Sequence, residues 1–369
     1  MKEDKLICPG CGAGIQTQDP EKPGYVPPAA LNREIVVCMR CFRLQHYNEV
    51  QEIPLRNTDF TNQLHDLAKE DALIVKIVDA FDIEGSWIPG FQRYIGRNDV
   101  LLLVNKMDLL PKSINENRLK DWIRREAKEQ GLKPADIMLM SAEKKQSVEK
   151  AAAKMDELRH GKDVYITGCT NVGKSTFINA LIEAFSGDEE QRITASGYPG
   201  TTLDLIDIPL DDGRSMYDTP GIINERQMAH YVSRSDLKTL TPSREIKPRI
   251  YQLEEKQTLF IGGLARMDFN EGSRNSFVMY VDNDLLIHRT KLDNADTLYE
   301  NQKGEMLSPP GRETLDEMPA FAEHTFHIKQ PKMDIVISGL GWITVVEPDA
   351  VVTVYAPKGT GVTIREAVI

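Results

Sequence analysis

Three groups of residues in this 369-residue chain have types and spacings that could do chemistry. The first is Gly168-Cys-Thr-Asn-Val-Gly-Lys-Ser175, which fits G-x-x-x-x-G-K-[ST]. A loop of this kind wraps its backbone N–H groups around nucleotide phosphates, from Gly168 through Asn171, Val172 and Gly173. Lys174 then bridges β- and γ-phosphate oxygens and the Ser175 hydroxyl ligates Mg²⁺. The second group is Asn105-Lys106-Met-Asp108 with Ser141-Ala142. Asp108 can accept two hydrogen bonds, from N1–H and the exocyclic amine of guanine, a pattern adenine lacks. Asn105 can bind the base edge and tether the loops, the stem of Lys106 can lie across the ring, and the Ala142 N–H can donate to guanine O6. The third group is Cys8-Pro-Gly-Cys11 and Cys38-Met-Arg-Cys41. Two C-x-x-C pairs at this separation are the spacing of a tetrahedral Zn²⁺ site.

These groups need elements to position them. The sequence predicts a buried strand before Gly168 and a helix from Ser175 to Phe185, so the glycine loop ends on the positive pole of a helix. The runs 71–79 and 100–108 are apolar and β-branched, as buried parallel strands are, and the second ends on Asn105-Lys106-Met-Asp108. A short helix is expected over Trp87–Gly96. An amphipathic helix follows through Arg118, Trp122 and Ala127, then a strand from Asp136 that ends on Ser141-Ala142, and a helix over 146–159. Strands alternating with helices imply a doubly wound, mostly parallel sheet with ligands at the C-terminal strand ends. After the glycine loop, Gly200-Thr201-Thr202 lies in a polar stretch. The strand Ser215-Met-Tyr-Asp218 leads into D-x-x-G, where Asp218 would hold Mg²⁺ through water and the Gly221 N–H would sense the γ-phosphate. Asp79-Ala-Phe-Asp82 is expected only to end its strand.

Bulk properties bound the rest. A chain of this length suggests two or three domains. With 41% hydrophobic and 27% charged residues it can bury an ordinary core. A net charge of −11 argues against a uniformly basic coat, yet residues 226–256 hold seven Lys and Arg against four Asp and Glu. No apolar run is long enough to span a membrane, and Met-Lys-Glu-Asp-Lys lacks an apolar signal region, so the expected compartment is the reducing cytoplasm. That compartment disfavours a disulfide reading of the four cysteines, and a thioredoxin-like reading leaves one pair unexplained. Cys169, inside the loop, is read as a small residue whose backbone serves the phosphates.

The order of the motifs is their most specific property. Guanine-reading Asn-Lys-x-Asp and Ser-Ala come first; the phosphate loop, Thr-Thr and D-x-x-G follow. This order resembles the circularly permuted relatives of Ras-like GTPases, most of which act in ribosome assembly. With a four-cysteine module in front and a further domain behind, the whole chain resembles the YqeH type, similar to plant and mitochondrial nitric-oxide-associated GTPases. The resemblance implies GTP and GDP as ligands, Thr176 on the α-phosphate, and Thr202 (or Thr201) as the switch threonine that ligates Mg²⁺. It also implies a small-subunit precursor and its rRNA as partners, with a chain that acts as a monomer. Ile222 stands where such enzymes place a water-orienting Gln, so intrinsic turnover should be slow. Asn171 stands where related enzymes help hold K⁺, which implies potassium-stimulated hydrolysis.

The expected domains are a zinc module over 1–55, a permuted P-loop GTPase domain over 56–225, and a β-rich domain over 226–369. In the last, strand signals at 258–261, 276–281, 333–337 and 350–355 fit a binding domain with no catalytic constellation. The family resemblance suggests that this domain recognises RNA or peptide.

Overall fold

The structure is a computed structural model, which describes residues 6, 8, 13–20, 22, 24–31, 36–39, 42, 54–55, 67–185, 206–219 and 221–369. It divides into two compact units, Met1–Ala80 with Ser86–Met107 and Lys120–Ile223, and Phe81–Gly85 with Asp108–Leu119 and Asn224–Ile369.

The first part of the chain contributes β1 (Pro54–Leu55), β2 (Ala72–Asp79), β3 (Asp99–Asn105), α1 (Glu116–Glu129), β4 (Asp136–Leu139), α2 (Lys145–Arg159), β5 (Asp163–Gly168), α3 (Lys174–Phe185), β6 (Ile206–Pro209), β7 (Ser215–Asp218) and β8 (Gly221–Ile222). Six of these strands form one sheet in the order β4-β3-β2-β5-β7-β6. All neighbours are parallel except β6, which runs antiparallel to β7. Every residue of β2 is buried, as a strand covered on both faces requires. That burial includes Lys76, a charge inside an otherwise apolar run. The second face of α3 is equally clear: Phe177, Ile178, Leu181 and Ile182 recur at helical spacing and all are buried.

One expected element is different. Trp87–Gly96 is not a single helix; it holds one 3₁₀ turn, Phe91–Arg93, and another, Glu84–Ser86, precedes it. Pro89 disfavours a helical backbone before it, and Gly90 is left-handed at φ 71°, so an α-helix cannot run through. Its apolar residues still face inward, with Trp87, Ile88, Phe91 and Ile95 all buried.

The second unit is dominated by two five-stranded antiparallel sheets. Its strands are β9 (Arg249–Leu253), β10 (Gln257–Ile261), β11 (Ala265–Glu271), β12 (Asn275–Tyr280), β13 (Ile287–Lys291), β14 (Phe321–Ile328), β15 (Met333–Ile337), β16 (Gly341–Val345), β17 (Ala350–Pro357) and β18 (Val362–Glu366). They assemble as β13-β10-β11-β17-β14 and β18-β15-β16-β12-β9. Buried residues of both sheets share one core, in which Phe269 of β11 meets Phe277 of β12 with ring centroids 5.1 Å apart. The strand signals at 258–261, 276–281, 333–337 and 350–355 all fall on strands of these sheets.

Candidate nucleotide site

Two glycines let the loop 168–175 take its path. A Cβ on Gly168 would lie 2.9 Å from the Ile77 carbonyl oxygen on neighbouring β2. A Cβ on Gly173, which has φ 85°, would lie 2.4 Å from Asn105 Nδ2. Contact excludes a side chain at both positions, and at Gly173 the left-handed backbone does so as well. Asn171 is also left-handed, at φ 63°.

Asn105 is the joint of the base-side motifs. Its Nδ2 donates to the Val172 carbonyl oxygen at 3.0 Å, and its Oδ1 accepts from the Ala142 N–H at 2.9 Å. One buried amide thus ties the glycine loop to the Ser141-Ala142 loop, which lie far apart in sequence. The Ala142 N–H, expected to face guanine O6, donates here to Asn105. Ser141 is 3% exposed and secures its turn, with its N–H on Ser147 Oγ and its own Oγ accepting from the Glu143 N–H. Lys106 has φ 66°, and its ammonium meets the Asp79 carboxylate at 2.7 Å and the Asn171 carbonyl oxygen at 2.5 Å. Asp108 follows in a 3₁₀ turn, Met107–Leu109, and is partly exposed.

At the phosphate end, α3 begins on Lys174, whose ammonium pairs with the Asp218 carboxylate at the end of β7. Neither side chain has any exposed area. Ser175 Oγ is buried and has no hydrogen-bond partner among the described residues, while Thr176 is exposed. A buried hydroxyl oxygen without a protein partner, on the residue after the lysine that pairs with Asp218, suits an Mg²⁺ ligand. Gly221 and Ile222 form β8, parallel to β1, and the Ile222 carbonyl oxygen accepts the Thr170 N–H at 2.8 Å. The Ile222 side chain is 2% exposed and apolar, so it offers nothing to orient a water.

Thr201 and Thr202 lie outside the described residues, as do Cys11 and Cys41. Cys8 and Cys38 are described and buried, and the Cys38 N–H donates to Cys8 Sγ at 3.3 Å. Among the described residues no cluster of three or more His, Cys, Asp or Glu is placed to hold a metal.

Two residues that matter here were not found by sequence reasoning. Asp79 does more than end a strand, since it partners the lysine of Asn105-Lys106-Met-Asp108. Its register neighbour on β3 is Asn105, and the matching ends of two adjacent apolar strands were the signal. Lys76 is the other. Its ammonium donates to the Ser86 carbonyl oxygen at 3.3 Å and lies 4.6 Å from the Phe91 ring centroid and 5.7 Å from that of Trp87. Burial pushes it down to about 8, against the opposing pull of neighbouring Cys169.

A mostly parallel sheet, a glycine loop feeding a helix, and an Asn-Lys-x-Asp strand end locked to that loop define a P-loop GTPase domain in permuted order. Comparisons with known proteins agree. Residues 163–303 match the family described as 50S ribosome-binding GTPase, and residues 274–368 match the YqeH-like C-terminal family. The chain is 56% identical to the uncharacterized protein YqeH of Bacillus subtilis strain 168, covering 99% of this chain and 100% of that one. It is 30% identical to the chloroplastic/mitochondrial NO-associated protein 1 of Arabidopsis thaliana, over 92% of this chain and 69% of the other. The solved structure of GNP-bound YlqF from T. maritima matches at 24% identity, covering 44% of this chain and 57% of that one. The TM-score of that match is 0.29. The chain belongs to the YqeH family of circularly permuted GTPases, for which GTP hydrolysis is the implied activity.

Proposed function

We propose that this GTPase is a switch whose nucleotide state sets its grip on a ribosomal particle, with the small-subunit precursor and its rRNA as the preferred partner. The observation that carries the reading is the path of the chain after the phosphate site. Asp218 ends β7, Gly221 and Ile222 form β8, and at Asn224 the chain passes into the long C-terminal part of its second unit. A displacement at D-x-x-G on hydrolysis would therefore be transmitted along only a few residues of backbone. The printed description of the matched family, a 50S ribosome-binding GTPase, supports a ribosomal partner and makes the large subunit the rival particle. The second unit also has an open pocket of about 790 Å³, lined in part by Arg266, Tyr299, Lys303, Phe321 and Tyr355, which suits a binding module.

In this reading Asn105, Lys106 and Asp108 read the base beside Ser141 and Ala142. Gly168, Asn171, Val172 and Gly173 cradle the phosphates, Lys174 reaches the β- and γ-phosphates, and Thr176 lies at the α-phosphate. Ser175, Asp218 and Thr202 (with Thr201 as the alternative) serve Mg²⁺, which would supply charge neutralisation at the β- and γ-oxygens. The orphaned Ser175 Oγ fits that role. Gly221 senses the γ-phosphate. Ile222 makes unaided turnover slow, and the Asn171 amide oxygen is a suitable hard ligand for K⁺. Faster hydrolysis in KCl than in NaCl is the expected result, and equal rates would remove the potassium role.

The same reading treats 1–55 as a zinc module, 56–225 as the GTPase domain and 226–369 as the recognition domain of a cytoplasmic monomer. No helix among the described residues is long and apolar enough to cross a membrane. Cys8 and Cys38 are buried together, and a backbone N–H donated to Cys8 Sγ suits a thiolate, so the donor chemistry fits Zn²⁺ with Cys11 and Cys41 completing four ligands. One equivalent of zinc in purified protein is expected; its absence removes the module's metal.

Co-sedimentation of the full chain with purified ribosomal subunits, under a non-hydrolysable GTP analogue or GDP, tests the whole. The expectation is binding to the small subunit that differs between the two nucleotides. Binding to the large subunit would replace the partner. Binding to neither would favour a signalling GTPase that acts on proteins alone.

A further inference from the structure

We infer that Asp79 is a positioning residue of the guanine site, acting through Lys106. The inference rests on the reading that Asn105, Lys106 and Asp108 hold the base. Asp79 is the last residue of β2 and stands opposite Asn105 in the parallel register with β3. Its backbone is fixed on both sides: its N–H donates to Ser86 Oγ at 3.0 Å, and the next N–H, of Ala80, donates to the Asn105 carbonyl oxygen at 2.9 Å. The carboxylate is thereby held at one point, 2.7 Å from the Lys106 ammonium.

Lys106 needs such support. Its φ of 66° is a left-handed backbone, which a residue with a Cβ adopts only at a cost. Its side chain has four rotatable carbons and would otherwise spread over many rotamers in solvent. Here the ammonium is caught between the Asp79 carboxylate and the Asn171 carbonyl oxygen, which itself belongs to a left-handed residue of the phosphate loop. The side chains of Asp79 and Lys106 are 10% and 19% exposed, so this charge pair is largely shielded from water and stronger than a surface pair. Fixing both ends of Lys106 lays its aliphatic stem in one place, ready to cover the face of a base. The ordering cost is met before the ligand arrives.

A base-face contact of this kind does not distinguish purines by their edges. That separates Asp79 from Asp108, which reads the edge. The test measures equilibrium affinity of the full chain for GDP and for IDP, whose base lacks the exocyclic amine, in Asp79→Asn, Lys106→Met, the double variant and Asp108→Asn. Asp79→Asn is expected to weaken GDP roughly tenfold, the scale of one charge-assisted contact, and IDP by the same factor. Lys106→Met should lose a similar amount, and the double variant no more than Lys106→Met alone. Asp79→Glu, which keeps the charge at a changed reach, should recover part of the loss and also serves if Asp79→Asn does not fold.

Affinity within twofold of the parent in Asp79→Asn, or losses that multiply in the double variant, would overturn the inference. So would a loss confined to GDP. Asp108→Asn tests the underlying reading separately: it should erase the preference for GDP over IDP, and an intact preference there would overturn the base-reading assignment itself.

Discussion

Lys174 and Asp218 form an ion pair with no exposed surface on either side chain, joining the first residue of α3 to the last of β7. Both groups are expected to serve ligands, the ammonium facing phosphate oxygens and the carboxylate facing Mg²⁺ through water. Loading GTP and Mg²⁺ would then exchange one protein pair for two protein–ligand interactions. Removing one partner leaves the other charge buried and uncompensated. Asp218→Asn is expected to cost about 3 kcal/mol of unfolding free energy in urea titrations. Asp218→Asn combined with Lys174→Met should lose clearly less than the two single losses summed, and every one of these variants should lack GTP hydrolysis. Strict additivity would mean the two groups do not depend on each other.

Ser175 gives the opposite pattern. Its hydroxyl oxygen is buried without a partner among the described residues, so Ser175→Ala removes no protein hydrogen bond. Stability should stay within about 0.5 kcal/mol of the parent or rise slightly. The strengthening of GTP binding by Mg²⁺ should fall by roughly tenfold or more, as loss of one inner ligand implies. Retained Mg²⁺ dependence would place the ion elsewhere.

Lys76 predicts a pH dependence with a definite sign. Burial lowers it from 10.5 to about 8, so between those values the unfolded chain binds a proton that the folded chain has released. Stability from this group therefore rises with pH across that window and is constant below it, where both states are protonated. The gap between the parent and Lys76→Met should shift in the parent's favour by roughly 1–3 kcal/mol from pH 8 to pH 10. Chemical denaturation of the two proteins at each pH measures it. A flat difference would show that the Lys76 ammonium keeps its ordinary range.

Asp82 is 4% exposed and serves as an acceptor inside the second unit. It receives Gln227 Nε2 at 2.8 Å, Ser338 Oγ at 3.2 Å and the Gly85 N–H at 3.1 Å. Asp82→Ala strands the buried Gln227 and Ser338 groups and should cost about 2 kcal/mol, with Asp82→Asn losing less because one amide oxygen still accepts. Equal losses in the two variants would show that the carboxylate charge, and not its acceptor geometry, is what matters.

The sheet that carries the site was readable because its strands are buried on both faces. Ala72–Asp79 and Asp99–Asn105 therefore stand out as continuous apolar runs, with the motifs at their ends. The β-rich second unit was legible as a class but not strand by strand. Val362–Glu366 and Phe321–Ile328 lie at sheet edges with alternating, half-exposed residues, which leaves little apolar signal. The Trp87–Gly96 stretch misled because its aromatic spacing mimics a helix while Pro89-Gly90 forbids one. Asp79 and Asp82 were missed because a single carboxylate has no pattern in one dimension. Their partners, Lys106, Gln227 and Ser338, lie 27, 145 and 256 residues away.

The strand end bearing Asn105 and Asp108 is expected to select guanine for the phosphate loop that follows it in sequence. Replacing Asp108 by Asn exchanges an acceptor for a donor and should favour xanthine, which presents a carbonyl where guanine has its amine. Hydrolysis of GTP and XTP by the parent and by Asp108→Asn measures this directly. The parent is expected to use GTP alone, and the variant to turn over XTP at a comparable rate while losing GTP. Unchanged use of GTP by the variant, with no gain on XTP, would contradict it.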